Sequence, residues 1–480
     1  MRSGDADAAY PWRVLSITSI GVMLAALNTS TMDVALPAIA RHFDASPAQA
    51  NWILLSYLLV NTSLILVFGR VADILGRRLV YLCGLALFTV AGLACGFAPD
   101  PEWLAALRGV QAVGGAALVT NVTALLADVF PVGKLATAVG VNVSVVSTAQ
   151  LLGPVTGGAL VEAFGWRSAF WFNVPIGIIG LVSAALVLRR VPRSGAREPF
   201  DVPGALLSAL ALVGLAVALS EGGSRGWGSP PVVAGAAGFV VFAGLFVLVE
   251  RRRRHPLLDL GLFGDRPRAM ALAANFLSSV GRYAVVLLVG LYLQAAVGMS
   301  PFEAGLHVMP AAIGLATASV LVGSLARRWE AGTLATGGLM LLVAGLVALA
   351  LIVEPGVDGT ALGACLVVVG VGTGLFMAPN TSTIVGGVAT TRRGVVNGLR
   401  ATLQQSGFMI GAALGPALAT SLLTEPEQRA AYAGTFSSLP GARLDALTHG
   451  YRVAFWVLAA LCLLAAAASV LAAAYRQSST

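Results

Sequence analysis

The sequence has very little charge for its length. Only 11% of its 480 residues are Asp, Glu, Lys or Arg, and 57% are hydrophobic. A soluble domain carries about 25% charged residues. Uncharged runs of about 20 residues, the length needed to cross a bilayer, recur along the chain. The composition excludes an ordinary soluble protein and predicts an all-α polytopic membrane protein.

Histidine and cysteine are also scarce, with four residues of each. The histidines are scattered, which argues against the His and carboxylate cluster of a membrane-embedded enzyme. The cysteines lie in apolar runs without metal-like spacing, so we expect buried small hydrophobes rather than disulfides or ligands. The phosphate-binding pattern Gly-x-x-x-x-Gly-Lys-Ser/Thr of an ATP-driven pump does not occur. We therefore expect no catalytic residue, no metal and no bound cofactor.

Runs free of charge predict fourteen membrane-spanning helices, the first of which also serves as the insertion signal in place of a cleaved signal peptide. The predicted spans lie at about 14–36, 50–69, 79–98, 103–127, 135–161, 169–188, 203–220, 232–250, 269–296, 302–326, 332–353, 359–385, 394–423 and 452–475.

The basic residues fall mainly on one side of these spans. Twenty-one Lys and Arg residues lie near the two termini or in the connections on the same side, and six lie in the opposite connections. Because basic loops stay in the cytoplasm, this asymmetry predicts a cell-membrane protein with both termini cytoplasmic. Loop arginines also suit anionic lipid headgroups, so the net charge of +8 does not indicate nucleic-acid binding. The remaining three, Arg108, Arg282 and Arg400, lie within spans.

The largest basic clusters, Arg189–Arg197 and Arg251–Arg254, flank the seventh and eighth spans. They predict a two-helix insert at 191–266, between an N-terminal six-helix bundle at 1–190 and a C-terminal one at 267–480. The second bundle includes an external loop at about 424–451.

An internal repeat supports two related halves. Gly323–Arg328 is a degenerate copy of the segment that begins at Gly69, and Gly153-Pro154 recurs as Gly415-Pro416. The offsets, 254 and 262 residues, are similar enough to indicate one duplication. Parallel repeats are an architecture of transporters, which bind substrate between the halves near the midplane.

Five segments resemble motifs of the major facilitator superfamily, in particular its fourteen-span drug:proton antiporter branch. They are Leu27–Pro37 (LNTSTMDVALP), Gly69–Arg78 (GRVADILGRR), Arg108–Gly114 (RGVQAVG), Leu152–Gly158 (LGPVTGG) and Trp166–Gly177 (WRSAFWFNVPIG). Two departures stand out. Ala112 replaces a usual Gly, and the Asp and Asn of the helix-one motif are exchanged, so that this chain has Asn28 and Asp33.

The resemblance covers nearly the whole chain and implies two six-helix bundles plus two extra linker helices. It implies a proton-coupled secondary exporter of small amphipathic or hydrophobic compounds, such as drugs or antibiotics, that works by alternating access as a monomer. The alternatives are an exchanger or exporter of a metabolite or lipid and, less favoured because the loops are short, a non-transporting sensor.

Two motifs suit a conformational switch. Gly69, Asp73, Gly76 and Arg77 belong to a charged connection in which we expect Asp73 to cap the third helix and to pair with a neighbouring Arg. By resemblance, this connection is a latch between the halves; the alternative is that its arginines only orient the protein. In the fifth span, the small or bending residues predict a tightly packed, flexible interface. These residues are Gly153, Pro154, Gly157 and Gly158.

Proton coupling needs a titratable group at membrane depth. Asp33 is the carboxylate clearly inside a span of the first half, and Arg108 is its natural partner. Both are predicted about 6–8 Å below the outer surface and facing each other, with Gln111 one turn deeper. The alternative is that Asp33 is a helix-end residue whose side chain reaches the interface.

Arg282 lies near the middle of the ninth span and needs an anion, from Asp33, from Glu303 or from the substrate. A structural ion pair is the alternative to a substrate role. Other polar residues at membrane depth are candidates for the cavity, although some will only bond helix to helix. These residues are Asn28, Gln111, Asn173, Gln294, Asn380 and Gln404.

Overall fold

The computed structural model describes residues 3–189, 201–253, 260–388, 393–439 and 443–477, and these ranges are dominated by fourteen long helices. In chain order they are α1 Ser3–Phe43, α2 Pro47–Leu75, α3 Arg77–Cys95, α4 Pro101–Val129, α5 Val132–Phe164, α6 Ser168–Val187, α7 Val202–Arg225, α8 Pro230–Arg252, α9 Arg266–Val297, α10 Pro301–Leu325, α11 Ala331–Ile352, α12 Gly359–Val385, α13 Arg393–Ala419 and α14 Leu444–Gln477. α6 is interrupted at Phe172, and α9 ends in one π-helical turn.

Thirteen of these helices are long and apolar enough to cross a membrane. The other one, α13, has sufficient length but carries Arg400, Gln404 and Gln405 in its middle. Each predicted span corresponds to a long helix, so the predicted all-α polytopic fold is confirmed. Because an even number of long helices run in alternating directions, both ends of the described chain lie on one face. We call this face the terminal face and the opposite face the distal face.

Three helices extend at least six residues beyond their predicted spans at the ends given next. The predicted spans end with the apolar runs, whereas the helices continue past the first charged residue beyond them. α1 continues to Phe43, α2 continues to Leu75, and α14 begins at Leu444 rather than near 452. The connection before α14, predicted as an external loop, is therefore shorter than predicted. It contains a short helix, Glu425–Tyr432, and a 3-10 turn, Phe436–Ser438.

The long helices pack as two groups with α7 between them. α1–α6 contact one another, as do α9–α14, and α7 lies against α2 of the first group and α13 of the second. α8 packs mainly on α7 and exposes much of its apolar surface. The predicted boundary at 190/191 and the flanking residues Arg190, Arg193, Arg197 and Arg254 lie outside the described residues, so the division at 1–190, 191–266 and 267–480 stays a prediction.

The groups meet closely in the distal half of the molecule. Gly158 of α5 lies against the backbone of Pro301 and Phe302, at the start of α10, and Gly305 of α10 lies against Pro154. A Cβ at either glycine would collide with backbone atoms, so only glycine allows this approach. With the contacts described below, these residues form a distal seal between the two groups.

Candidate functional site

Asp33 lies where the two groups of helices meet. Its side chain is buried and accepts one hydrogen bond, from Tyr283 Oη at 2.9 Å to Asp33 Oδ1. Tyr283 belongs to α9, so this bond joins the first group to the second. Because α1 continues to Phe43, Asp33 lies ten residues from the helix end, about 15 Å along the axis. Its buried side chain argues against the interpretation as a helix-end residue that reaches the interface, whereas its depth below the outer surface stays a prediction.

Arg108 is fully buried in the first group and is held by neutral groups. Its Nη1 donates to Asn28 Oδ1 and, at 3.0 Å, to Gln111 Oε1. Its Nε donates to the Ile53 carbonyl at 3.4 Å, and its guanidinium lies 4.5 Å from the centre of the Tyr57 ring. Arg108 thus has acceptors and an aromatic face without any carboxylate.

The predicted face-to-face pair of Asp33 and Arg108 is not formed: among the described residues, neither a hydrogen bond nor a salt bridge within 4 Å joins them. The reason is helical geometry. Asn28 and Asp33 are five residues apart, which turns their side chains about 140° from each other around α1. Asn28 therefore faces α4 and Asp33 faces α9. The exchange of Asn and Asp in the helix-one motif has moved the carboxylate away from Arg108.

Two amide nitrogens beside Arg108 are buried without a hydrogen-bond partner in the described part of the chain. They are Asn28 Nδ2 and Gln111 Nε2. Buried polar groups normally have partners, so unsatisfied donors of this kind mark a place where a water or a ligand acceptor is favoured.

Arg282 has far fewer contacts than Arg108. Its Nη2 lies 3.2 Å from Met377 Sδ, a weak acceptor, and its guanidinium is 5.8 Å from the centre of the Phe408 ring. Nε and Nη1 are buried without a hydrogen-bond partner. Among the described residues, no carboxylate lies within ion-pairing distance of Arg282.

The two protein anions predicted for Arg282 are engaged elsewhere. Asp33 bonds Tyr283, and Glu303 accepts from the backbone nitrogen of Ser300 at 2.8 Å, where it caps α10 on the distal face. A capping glutamate is held at its own helix end and cannot reach the middle of α9. The structural ion pair considered for Arg282 therefore finds no partner in the described chain.

Arg400 and Gln404 form a local pair on α13. Arg400 Nη1 donates to Gln404 Oε1 at 2.9 Å, and the Arg400 carbonyl accepts from Asn275 of α9 at 3.1 Å. The next residue, Gln405, donates to Asn61 Oδ1 of α2 at 3.2 Å. Polar side chains at membrane depth therefore join α2, α9 and α13.

Three other predicted cavity residues form hydrogen bonds that do not involve Arg282. Gln294 donates to the Val34 carbonyl at 3.3 Å and so belongs to the distal seal. Asn380 bonds the Ala271 carbonyl at 3.2 Å, and Asn173 bonds the Ala169 carbonyl of its own helix at 3.3 Å. The last two make helix contacts in this conformation; a role in binding for each of these residues stays a prediction.

The charged motif of α2 lies on the terminal face and forms its described contacts within the first group. Gly69 to Leu75 are helical, and only Gly76, with φ of +96°, makes the turn that favours glycine. Arg77 bonds Asp128 of α4, contacts the Ala124 carbonyl at 3.0 Å and lies 3.5 Å from Asp73. The pairing of Asp73 with an Arg is confirmed, but Asp73 does not cap α3, whose first turn has no side-chain cap.

The small residues of α5 contact two different helices. Gly153 and Gly157 pack against Ser30 and Thr31 of α1, and Thr31 Oγ1 donates to the Gly153 carbonyl at 3.3 Å. Pro154 and Gly158 face α10 in the distal seal. This one motif therefore connects the helix that carries Asp33 to the opposite group.

Sequence reasoning missed the aromatic members of the site: Tyr57, Tyr283 and Phe408. The only signal was the position of Tyr283 beside a charged residue in an apolar run. Tyr283 and Phe408 lie close to each other, with ring centres 5.4 Å apart and an angle of 31° between the ring planes. The contacts that make them notable come from α1, α9 and α13 and are not encoded locally.

Known proteins resemble this chain over most of its length. The family model of the Major Facilitator Superfamily matches residues 18–412 and 273–479. Multidrug resistance protein Stp of Mycobacterium tuberculosis is 34% identical over 85% of this chain and 76% of its own length. Puromycin resistance protein pur8 of Streptomyces alboniger is 33% identical over 92% of this chain and 87% of its own.

A solved structure has the same fold. A bacterial homolog of the human lysosomal transporter Spinster, in an inward-facing and unoccupied conformation, has a TM-score of 0.68 and is 19% identical, with 97% of both chains covered. At this identity the likeness concerns the fold alone.

Proposed function

Because the chain belongs to the Major Facilitator Superfamily, we propose that it is a proton-coupled exporter of small amphipathic or hydrophobic compounds, such as drugs or antibiotics. Its curated relatives include multidrug and antibiotic resistance proteins, which supports export as the direction. In this proposal it works as a monomer in the cell membrane, with both termini cytoplasmic and arginine-rich loops against anionic lipids. The distal face is then the external face.

The observation that carries the proposal is the hydrogen bond between Asp33 and Tyr283. Asp33 is a buried carboxylate for which the described residues provide no ion-pair partner within 4 Å, and its hydrogen bond to Tyr283 joins the two groups of helices. A hydrogen bond to a carboxylate is roughly twice as strong as one to a neutral acceptor. Gain or loss of a proton at Asp33 therefore changes the strength of a contact between the two groups of helices.

A cycle follows from this contact. With the external side closed, Asp33 has lost its proton to the cytoplasm, and Tyr283 holds the groups together. Cargo entering from the cytoplasm binds beside Tyr283 and loosens this bond, and the groups rock to expose cargo to the outside. Outside, the cargo leaves and a proton neutralises Asp33, so that no uncompensated carboxylate is buried when the groups return. Release of the proton to the cytoplasm then restores the charge-assisted bond to Tyr283.

Arg108 has a different part in this cycle. Its positive charge lies in the same buried region as Asp33 and favours loss of the proton once the site faces the cytoplasm. Its hydrogen bonds to Asn28 and Gln111 keep that charge at a fixed distance from Asp33. Arg108 thus provides a fixed positive charge that favours the deprotonated form of Asp33, and it does not itself carry the proton.

The motifs of α2 and α5 fit the movement of the groups. Asp73, Arg77 and Asp128 tie α2 to α4 when the external side is closed, and we propose that this cluster exchanges partners when the terminal face closes. Gly158 and Pro154 must separate from α10 for the external side to open. The membrane potential supplies about 2.3 kcal/mol per charge for each 100 mV, in addition to any pH gradient.

The direct test is dye export from a host that lacks its own efflux pumps. Cells producing the protein should export a cationic dye and tolerate a panel of antibiotics, and collapse of the proton gradient should stop export. Asp33→Asn should abolish gradient-driven export at unchanged membrane abundance, because its amide cannot release a proton at physiological pH. Export by Asp33→Asn at the wild-type rate would refute the assignment of the proton site.

A matched control is available in the chain. Asp128→Asn also removes one carboxylate, but from the terminal face and outside the Asp33–Tyr283 contact. It should keep gradient-driven export, although at a reduced rate. Equal and complete loss in both variants would indicate that any carboxylate change disrupts the protein, and Asp33 would lose its special role.

A further inference from the structure

The surroundings of Arg282 point to the chemical class of the cargo. We propose that Arg282 and the ring of Phe408 form a subsite for planar aromatic compounds that carry a carboxylate or a similar acidic group. The proposal rests on the function proposed above, since it assigns the substrate class of that exporter.

The balance of charge at membrane depth is the first support. Three arginines, Arg108, Arg282 and Arg400, lie within the helices near the centre of the molecule, against one carboxylate, Asp33. The Asp33 carboxylate is bonded to Tyr283. An intramembrane cation is costly unless it is compensated, and such residues commonly mark a substrate path. The centre of the protein is therefore complementary to an anion.

The unmet hydrogen-bonding capacity of Arg282 is the second support. Nε and Nη1 have no partner in the described chain, and Nη2 faces only a thioether sulfur. A carboxylate binds a guanidinium with two parallel hydrogen bonds, either at Nε and Nη2 or at Nη1 and Nη2. Each of these edges of Arg282 contains one nitrogen without a partner in the described chain and Nη2, whose contact with the thioether is weak, and the residue as a whole is only partly buried. A carboxylate would satisfy the groups that the protein leaves unbonded.

The aromatic side chains determine the shape of the ligand. The Phe408 ring lies 5.8 Å from the Arg282 guanidinium and stacks obliquely on Tyr283. Met377 completes the surroundings with a flexible, polarisable side chain. A flat ring system beside Phe408 would bury apolar surface and gain stacking energy, while its acidic substituent reaches Arg282. Phe408 and Met377 are both partly exposed, as contacts with a ligand require.

The same site disfavours a cation. A positively charged ligand would meet Arg282 and Arg400, and the described residues offer no free carboxylate beside Arg282. Repulsion between like charges costs more in a poorly solvated site than in water. Tyr283 lies between the subsite and the proposed proton site, because it stacks on Phe408 and bonds Asp33. Cargo beside Phe408 would therefore contact the residue that bonds Asp33. Binding of an acidic cargo and release of the Asp33 bond are therefore linked.

Two dyes with the same ring system test this proposal. Fluorescein carries a carboxylate on a planar tricyclic scaffold, and rhodamine 123 has that scaffold with a methyl ester and a positive charge. Binding of each dye to the purified protein is measured by fluorescence anisotropy without a proton gradient, and export of each dye by membrane vesicles is measured separately. Wild type should bind fluorescein about tenfold more tightly than rhodamine 123, the ratio expected from one charge-assisted contact.

The variants separate binding from folding. Arg282→Gln should weaken fluorescein binding about tenfold and leave rhodamine 123 binding unchanged or tighter, because the repulsion of the cation is removed. Arg282→Lys should keep part of the preference because the charge remains. Arg268→Gln is the matched control, since it removes an arginine of the same helix that already has a carboxylate partner, Asp265. It should bind both dyes as wild type does.

Several results would overturn the proposal: no fluorescein binding by wild type, no preference between the dyes, or equal losses for both in Arg282→Gln. If Arg282→Gln does not fold, the same comparison is decided by Arg282→Lys. Failure of the exporter function looks different. Gradient-driven export of both fluorescein and rhodamine 123 would then be absent, while the Arg282-dependent preference for fluorescein persists in the binding assay.

Discussion

Arg108 in the first group of helices and Arg282 in the second have opposite surroundings. Arg108 donates to three oxygens and lies on the Tyr57 ring. Arg282 has one weak acceptor and two unsatisfied nitrogens. The satisfied arginine is part of the structure and sets a permanent field near Asp33. Burying nitrogens without partners costs stability, and a ligand can offset that cost. In the account proposed above, Arg108 therefore acts on the proton site and Arg282 on the cargo.

The largest expected effect is on stability and contrasts the two arginines directly. Arg108→Ala leaves the oxygens of Asn28 and Gln111 without their donor and opens a cavity beside Tyr57, which costs several kcal/mol. Arg282→Ala removes a cation that the protein does not compensate. We expect the unfolding midpoint of the purified protein to fall by more than about 5 °C for Arg108→Ala and to stay within about 2 °C for Arg282→Ala.

Thermal unfolding followed by intrinsic fluorescence in detergent measures both midpoints. Equal losses in the two variants would mean that Arg282 is as well held as Arg108, and the division of roles would fail.

The next effect tests the aromatic support of Arg108. Tyr57→Leu keeps an apolar side chain but removes the ring that lies 4.5 Å from the guanidinium. The lost cation–π contact and packing should cost about 2 kcal/mol in unfolding free energy. Phe408→Leu, the corresponding change beside Arg282, should leave the unfolding midpoint unchanged and weaken fluorescein binding. A larger loss of stability in Phe408→Leu than in Tyr57→Leu would reverse the comparison.

Tyr283→Phe is expected to act on coupling more than on stability. It removes the hydroxyl that bonds Asp33 and keeps the ring that stacks on Phe408. The conformation with the external side closed then loses about 1.5–3 kcal/mol of charge-assisted bonding. Rates of gradient-driven dye export should fall about tenfold, with dye binding nearly unchanged. Export at wild-type rates over a pH series would show that the Tyr283 bond has no part in coupling.

The smallest effect is expected at an exposed ion pair, which serves as the control for pH experiments. Arg443 holds the pKa of Glu427 down at about 2, through hydrogen bonds to its carboxylate. A depressed carboxyl pKa contributes stability above the unfolded value near 4.5, and this contribution is lost only as pH falls toward 2. Glu427 therefore stays charged from pH 5 to 8. Glu427→Gln should leave the pH profile of dye export unchanged, and a shifted profile would place a second titrating group in the external loop.

Much of the fold follows from simple physical rules applied to the sequence. Charge-free runs of sufficient length located every long helix, because a bilayer admits few other structures. The helix ends were less predictable. Phe43, Leu75 and Leu444 lie beyond the apolar runs, where helices are stabilised by caps and by packing rather than by lipid.

The sequence identified which charged residues lie within the helices, but not which neighbouring helices their side chains face. Asp33, Arg108 and Arg282 were found because charge is rare in a membrane helix, yet their partners depend on rotation about each axis. The five-residue spacing of Asn28 and Asp33 already implied that the two side chains diverge. Tyr283, Phe408 and Met377 could not have been chosen, since their roles arise where three separate helices meet.

The central claim is that Asp33 carries the coupled proton, and proton movement during dye exchange tests it most directly. Purified protein is reconstituted in vesicles with a pH-sensitive dye inside, and an outward gradient of rhodamine 123 is imposed without a proton gradient. Wild type should move protons against the direction of the dye, whereas Asp33→Asn should still exchange dye across the membrane without moving protons. Proton movement at the wild-type ratio in Asp33→Asn would contradict the account.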